Sequence, residues 1–390
     1  MLNARYKKII FSLIFIVCII FCFASDEEDN PWLYLKAIQE SYNDIVEDFF
    51  FDSEANDWCI KIRGSYLYWA SGRLLPKNHS SKWIKWNPFI SYFYPENVPN
   101  PQDYPENFIE ALKPKSLIKH RRYEPSPNYS FHHLVYQGKT KREIIKQLKK
   151  IKFFGIDIWI HKRVAEPLKR IEKKIILLQK NSPEVRLFVK SIGSCWGFNW
   201  RVIADSGKLS NHCWGTAVDI LPKNYRNKKL YWFWEAVHND NWMKVLPHKR
   251  WNPPDSVIKI FEDEGFIWGG KWTLWDNMHF EYRPELLYIR DFFLSQNPDK
   301  LTKSVKADKD NAVHKTEKNY GGTAAKKGSA ASPIFDAVVN TAKLIMQLQY
   351  FIEETEYRYE SAADYFKAEL TEKHEDMEPP VPEYAEEMNE

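Results

Sequence analysis

The chain has little of what settles an assignment quickly. Its five cysteines describe no disulfide framework, because Cys18 and Cys22 fall inside an N-terminal apolar run and Cys59, Cys195 and Cys213 are left as an odd set. Cys195 and Cys213 flank the lead-in to the densest motif of the chain and could close one bridge; free buried thiols serve there as well. A net charge of +4 over 390 residues is close to balanced, so no general affinity for nucleic acid is implied. Long apolar runs are also missing. Ile9 to Phe23 makes a helix of roughly 22 Å, short of a bilayer core of about 30 Å. Arg5, Lys7 and Lys8 precede that run, and Ala24, Ser25 and the acidic Asp26 to Asp29 follow it. Residues 1–25 therefore read as an export signal to the periplasm or cell envelope, either cleaved or kept as a membrane anchor, with no lipoprotein cleavage box before either cysteine.

What is present in quantity is aromatic side chains, at 16% of residues, within a hydrophobic fraction of 44% that is ample for a core. Plain packing accounts for most rings, and stacking on sugars or peptides for some. One large or two modest domains are expected at this length.

Residues 26–139 form an aromatic, Pro-rich region expected to pack on a catalytic domain spanning 140–297. Trp32 to Phe51 has helical spacing, and Cys59 to Ile62 with Tyr66 to Trp69 predicts a hairpin. Prolines from Pro88 to Pro127 then exclude long regular elements. His132 and His133 suggest a second metal site only weakly, since adjacent side chains on an extended chain point apart. Thr140 and Glu143 form a capping box, with Ile144, Ile145, Leu148 and Ile151 as an apolar helical stripe. A helix over Lys162 to Lys180 follows, then a strand at Val185 to Val189 and a loop with Gly193 and Gly197 leading to Arg201. Further on, the patterns predict helices over Lys228 to Val245 and Val257 to Glu264, a glycine turn over Phe266 to Trp272, and a strand from Met278 to Tyr282. Residues 298–332 read as a flexible linker, 333–368 as an amphipathic helix that docks on the body or on a protein partner, and 369–390 as an acidic disordered tail.

The chemistry concentrates in two places. Ser210-Asn-His212-Cys-Trp-Gly215-Thr-Ala217-Val-Asp219 pairs an imidazole with a carboxylate across a glycine turn. On a strand, Asp219 shares a face with Ala217, opposite Val218 and Ile220. Asp276-Asn-Met-His279-Phe-Glu281 supplies a third ligand, and a His, Asp, His set leaves the fourth tetrahedral position open, as a catalytic zinc site requires. Peptide hydrolysis also needs a proton acceptor. Asp276 is the first candidate, and Glu281 is its competitor or else orients a ligand imidazole. Arg201 suits a developing oxyanion, or a surface salt bridge.

These residues resemble the zinc D-Ala-D-Ala carboxypeptidases and L-Ala-D-Glu endopeptidases of bacteria and phage, a family within a superfamily that also holds lysostaphin-type enzymes and the hedgehog signalling domain. The resemblance spans roughly Ile151 to Tyr288 and extends to Asn199-Trp-Arg201 and Phe266-x-Trp-Gly-Gly-x-Trp272. It implies an α+β fold with a small central antiparallel sheet, Zn2+ held by His212, Asp219 and His279, catalysis by Asp276 and Arg201, and peptidoglycan stem peptides as substrate. Ser210, Trp214 and Trp272 are the expected substrate contacts, with Trp268 a further groove wall. The best-known members carry Glu at the position of Asp276, one methylene longer. The alternatives are an endopeptidase of the L-Ala-D-Glu type and a zinc-containing module that binds cell wall or a partner without cutting.

Overall fold

A computed structural model describes residues 30–90, 92–113, 125–203 and 208–296, all within the unit Met1–Asn319. The export signal, linker, amphipathic helix and acidic tail lie outside the described residues. Among the described residues no helix is long and apolar enough to cross a membrane.

Among the described residues the fold is α+β, with three small antiparallel sheets. Helix α1 (Pro31–Ser41) starts at Asn30, whose side chain accepts from Leu33 N, with Pro31 in the first turn. It is shorter than its spacing predicts. Ile45 and Phe49 belong instead to the end of the following turn and to strand β1 (Val46–Asp52), which pairs with β2 (Asp57–Ile62), and β2 pairs with β3 (Ser65–Tyr68). The β2–β3 hairpin expected from sequence is thus one half of a three-stranded meander. Among the described residues, the Pro-rich stretch beyond it holds the short helices α2 (Lys77–Ser80), α3 (Glu106–Ala111) and α4 (Ser130–Val135) and two 3-10 turns.

The Thr140 capping box is formed in both directions, yet it opens only the five-residue α5 (Lys141–Ile145). Leu148 and Ile151 lie in strand β4 (Leu148–Phe153), not in a helix, because β4 pairs along its length with β5 (Ile156–His161). Phe154 and Gly155 join the two with φ of 49° and 80°, the two-residue turn whose twist suits a hairpin. Helix α6 (Lys162–Leu178) buries Val164, Leu168, Ile171 and Ile175. Val185 to Val189 is helical rather than extended: Ser182 caps α7 (Pro183–Ser191), Pro183 takes its first position, and Val185 and Phe188 are buried three apart. Gly193 lies in strand β6 (Ile192–Trp196).

Strand β7 (Ala217–Pro222) follows the ligand motif, and β8 (Phe266–Trp268) and β9 (His279–Tyr282) complete a four-stranded sheet in the order β6-β7-β9-β8. The long helix expected over Lys228 to Val245 is reduced to α8 (Trp232–Ala236) and a 3-10 turn at Trp242–Lys244. Bridges from Lys229 to Arg250 and from Tyr231 to Asp276 hold the start of that segment extended. Helices α9 (Asp255–Glu262) and α10 (Pro284–Ser295) finish the described chain.

One face of the four-stranded sheet is dry. Val218, Ile220, Trp268 and Phe280 join α6, α7, α9 and the β4–β5 hairpin in one apolar cluster. A second cluster gathers α1, the meander, α4, Cys213 and Trp214. The N-terminal layer is therefore bonded into the rest: Arg163 forks onto Asp44 at 2.9 and 2.8 Å, Tyr42 Oη donates to Glu285 at 3.0 Å, and Tyr94 Oη donates to Glu262 at 2.6 Å. Cys59, Cys195 and Cys213 are all free and buried, so no 195–213 bridge forms.

Candidate metal centre

The undried face of the sheet carries the site. Register sets Asp219 of β7 directly opposite His279 of β9, and Ala217 opposite Glu281, so the two ligand candidates are cross-strand neighbours. His212 arrives from a 3-10 turn, Asn211–Trp214, which ends at Gly215 with φ of 64°. That left-handed conformation suits glycine, and an added Cβ would stand 2.8 Å from His161 N. The turn thus reverses the chain tightly enough to bring His212 over Asp219.

Three donor atoms converge. His212 Nε2 is 3.2 Å from Asp219 Oδ1 and 3.2 Å from His279 Nδ1, and His279 Nδ1 is 2.8 Å from Asp219 Oδ1. A tetrahedral ion with bonds of about 2.0–2.1 Å needs ligand atoms about 3.3 Å apart, close to this triangle. The outer nitrogens are already assigned. His212 Nδ1 meets the carbonyl of Gly197, and His279 Nε2 meets Glu281 Oε2 at 3.1 Å; both partners only accept, so these nitrogens carry the protons. In the neutral imidazoles the inner nitrogens then present lone pairs toward a carboxylate. With both rings neutral, three acceptors face one point, which fits a bound cation; without an ion a proton on His279 Nδ1, donated to Asp219, fills that point. Among the described residues this is the one group of His, Cys, Asp and Glu arranged to hold a metal; His132 and His133, on helix α4, do not form another.

The electrostatics agree with a cation site. Burial opposes the charged form of His279, but bonds to Asp219 and Glu281 outweigh it and lift the group to about 10. Asp219 is likewise penalised by burial and is held far below the usual carboxylate range by His212 and His279. Glu281, also penalised by burial, is brought to about 2 by His279, Arg283 and Asn211.

Asp276 stands beside the triangle. Its N–H donates to Gly269 O at 2.9 Å, and its carbonyl accepts from His279 N at 3.3 Å. Gly269 is required by that approach, since a Cβ there would meet Asp276 O at 2.5 Å. The carboxyl is half-buried and its Oδ1 is enclosed without a partner. Burial, reinforced by Asp219, pushes it up to about 7 against the opposing charge of His279, the N–H of Met278 and the more distant Arg201. A carboxyl poised there suits proton transfer near neutrality. Arg201 is exposed on the loop after β6, and buried Cys213 holds that loop by bonding its N–H at 3.2 Å and its carbonyl at 3.0 Å.

The expected substrate contacts divide. Trp272 is part-exposed, its ring 5.4 Å from that of His279, with an enclosed Nε1 lacking a partner. Trp214 is 1% exposed and packs at 4.5 Å on His132 in the N-terminal cluster, so it is core rather than groove wall. Trp268 is equally buried, its Nε1 bonded to Asn277 O at 2.8 Å. Ser210 is 5% exposed and caps the ligand turn by accepting from His212 N, which fixes His212 rather than a substrate. The sequence reading did not single out Asn211, whose Nδ2 donates to Glu281 Oε2 at 2.6 Å, or Tyr92, whose Oη donates to Glu281 Oε1 at 3.4 Å. Nor did it single out Trp196, 62% exposed on β6 and paired in register with Asp219, hence on the same face one strand away. Only the alternation of β6, with Cys195 buried and Trp196 exposed, could have flagged it.

Comparison with known families gives two matches. A family model described as D-alanyl-D-alanine carboxypeptidase matches residues 204–282, which covers His212, Asp219, Asp276 and His279 but not Arg201. A model described as a domain of unknown function matches residues 34–91 in the N-terminal layer. No curated protein and no solved structure matches the chain.

Proposed function

We propose that the chain is an exported zinc-dependent peptidase that hydrolyses peptidoglycan stem peptides at the terminal D-alanyl-D-alanine bond. The observation that carries this is the triangle of His212 Nε2, Asp219 Oδ1 and His279 Nδ1, with the carboxyl of Asp276 beside it and a peptidase family model over the same residues. Zinc held there supplies Lewis acidity toward the scissile carbonyl and a water of lowered pKa. Asp276 takes the proton of the attacking water and delivers it to the departing amine. Its backbone bond to Gly269 and its bridge to Tyr231 fix how far this short side chain reaches. Arg201 brings positive charge to the oxygen that becomes anionic as the carbonyl turns tetrahedral. Trp272 closes the side of the site next to His279, and Trp196 offers an indole face on the β6 side. A carboxyl in so confined a place, with one oxygen enclosed and unpartnered and the group lifted toward neutrality, favours catalysis over a site that only binds.

Incubating zinc-loaded protein with defined muropeptides and reading the products by mass spectrometry tests the proposal. Release of terminal D-alanine, lost in Asp276→Ala, is the expected result. An internal cut between L-Ala and D-Glu would instead assign the endopeptidase activity. Uncut muropeptide retained on the protein would contradict a peptidase and leave a binding module.

A further inference from the structure

The N-terminal layer reaches the metal centre along two lines, and both end on Glu281. Tyr92 Oη donates directly to Glu281 Oε1 at 3.4 Å, and its ring lies 6.0 Å from that of Trp272. Phe89 lies beneath the guanidinium of Arg283, 5.3 Å from the ring centre, and Arg283 Nη1 is 3.8 Å from Glu281 Oε1. From the turn that carries His212, Asn211 Nδ2 donates to Glu281 Oε2 at 2.6 Å.

Glu281 therefore has both oxygens committed. Oε2 takes His279 Nε2 and Asn211; Oε1 faces Tyr92 and Arg283. A carboxylate held at one oxygen can swing about its last bond, whereas one held at both cannot. With Glu281 immobile, the proton of His279 stays on Nε2 and the lone pair of Nδ1 stays aimed at Asp219 and His212. Burial together with the charge of Glu281 keeps the Tyr92 phenol protonated, so it stays a donor.

We propose that Tyr92 is a positioning residue of the metal centre: with Asn211 it locks the Glu281 carboxylate, which sets the tautomer and orientation of His279. Tyr92 is then part of the site, although it lies outside the residues matched by the peptidase family model and one residue beyond the match of unknown function. This inference rests on reading His212, Asp219 and His279 as metal ligands.

The test uses the full chain in five forms: unaltered, Tyr92→Phe, Glu281→Gln, the double variant, and Tyr94→Phe. Zn2+ affinity is read by competition with a chromophoric chelator, and ligand geometry by the visible absorption of the Co2+-loaded protein. Loss of a bond that orients a ligand imidazole weakens metal binding by roughly 10–100-fold, the range expected for Glu281→Gln. Tyr92→Phe is expected to weaken it by about three- to tenfold and to shift the Co2+ bands, a partial loss on the same scale because Asn211 still holds the other oxygen. The double variant should bind no more weakly than Glu281→Gln alone, because Tyr92 acts through that carboxylate. Tyr94 bonds to Glu262 and Trp268 and not to Glu281, so Tyr94→Phe should lower thermal stability yet leave affinity and spectrum unchanged. Unaltered affinity and spectrum in Tyr92→Phe overturn the inference, as does equal weakening by Tyr92→Phe and Tyr94→Phe. If the unaltered chain takes up neither metal, the ligand reading itself falls, and this inference falls with it.

Discussion

Along β7 and β9 successive residues serve opposite faces of one sheet. Val218, Ile220 and Phe280 point into a dry cluster, where Phe280 stacks on Phe261 with ring centres 3.9 Å apart. Asp219, His279 and Glu281 alternate with them and face Trp272 and the N-terminal layer. The dry face gains stability from the apolar area it removes from water. On the other face the same burial opposes the charged forms of Asp219, His279 and Glu281, and their pairing with one another has to offset it. The difference shows where selection for chemistry acts: the site face is held in place by the stability of its reverse side.

This contrast can be broken by substitution. The largest effect is expected from Asp276→Ala on the site face. Turnover of a stem peptide should fall by about 10²–10⁴-fold, the usual contribution of a general acid–base. Zinc should be retained, and stability should change little, because the carboxyl gives up only the N–H of Met278 while its enclosed Oδ1 has no partner to lose. Phe280→Ala on the dry face should do the reverse, costing about 3–5 kcal/mol in denaturant unfolding through the cavity it leaves. A smaller effect concerns His161, which ends β5 and caps α6: its Nε2 faces Tyr136 O at 3.1 Å while Nδ1 accepts from Arg163 N at 3.1 Å. The bond that Nδ1 accepts needs a neutral ring, whereas the one that Nε2 donates survives protonation. Burial lowers the group to about 4 although the Tyr136 carbonyl raises it, whereas the unfolded chain titrates near 6.5. The unfolded state thus binds more protons between those values, so this contribution is complete above about pH 6.5 and is lost as pH falls toward 4. In metal-free protein His161→Asn, which keeps an N-cap acceptor without a titrating ring, should flatten that loss in pH-dependent thermal melts. The smallest effect is expected from Trp196→Ala, where one lost ring contact, worth about 0.5–1.5 kcal/mol, corresponds to roughly a two- to tenfold rise in KM with kcat unchanged.

Legibility in the sequence followed the range of the interactions. The face of Asp219 could be read from alternation alone, and Thr140 with Glu143 from a four-residue pattern; both appear in the structure. His212, Asp219 and His279 could be named in advance, and the fold brings their donor atoms together. Features set by distant pairing were not readable. Leu148 and Ile151 fit a helical stripe as well as a strand until β5 is there to pair with them. Val185 to Val189 alternates over five residues, too short to outvote Ser182 and Pro183. Trp214 sits inside a ligand motif yet packs on His132, some eighty positions earlier in the chain, and nothing local announces that its ring turns away from the site. Tyr92 escaped for the same reason, since its bond to Glu281 joins residues 189 positions apart.

The central claim is that His212, Asp219 and His279 hold one zinc ion, and metal content measures it most directly. After dialysis against excess Zn2+ and removal of the unbound ion, the account predicts about one zinc per chain by atomic emission, lost in His279→Ala and retained in Asp276→Ala. A chain that keeps no zinc, or keeps it equally well without His279, would contradict the account.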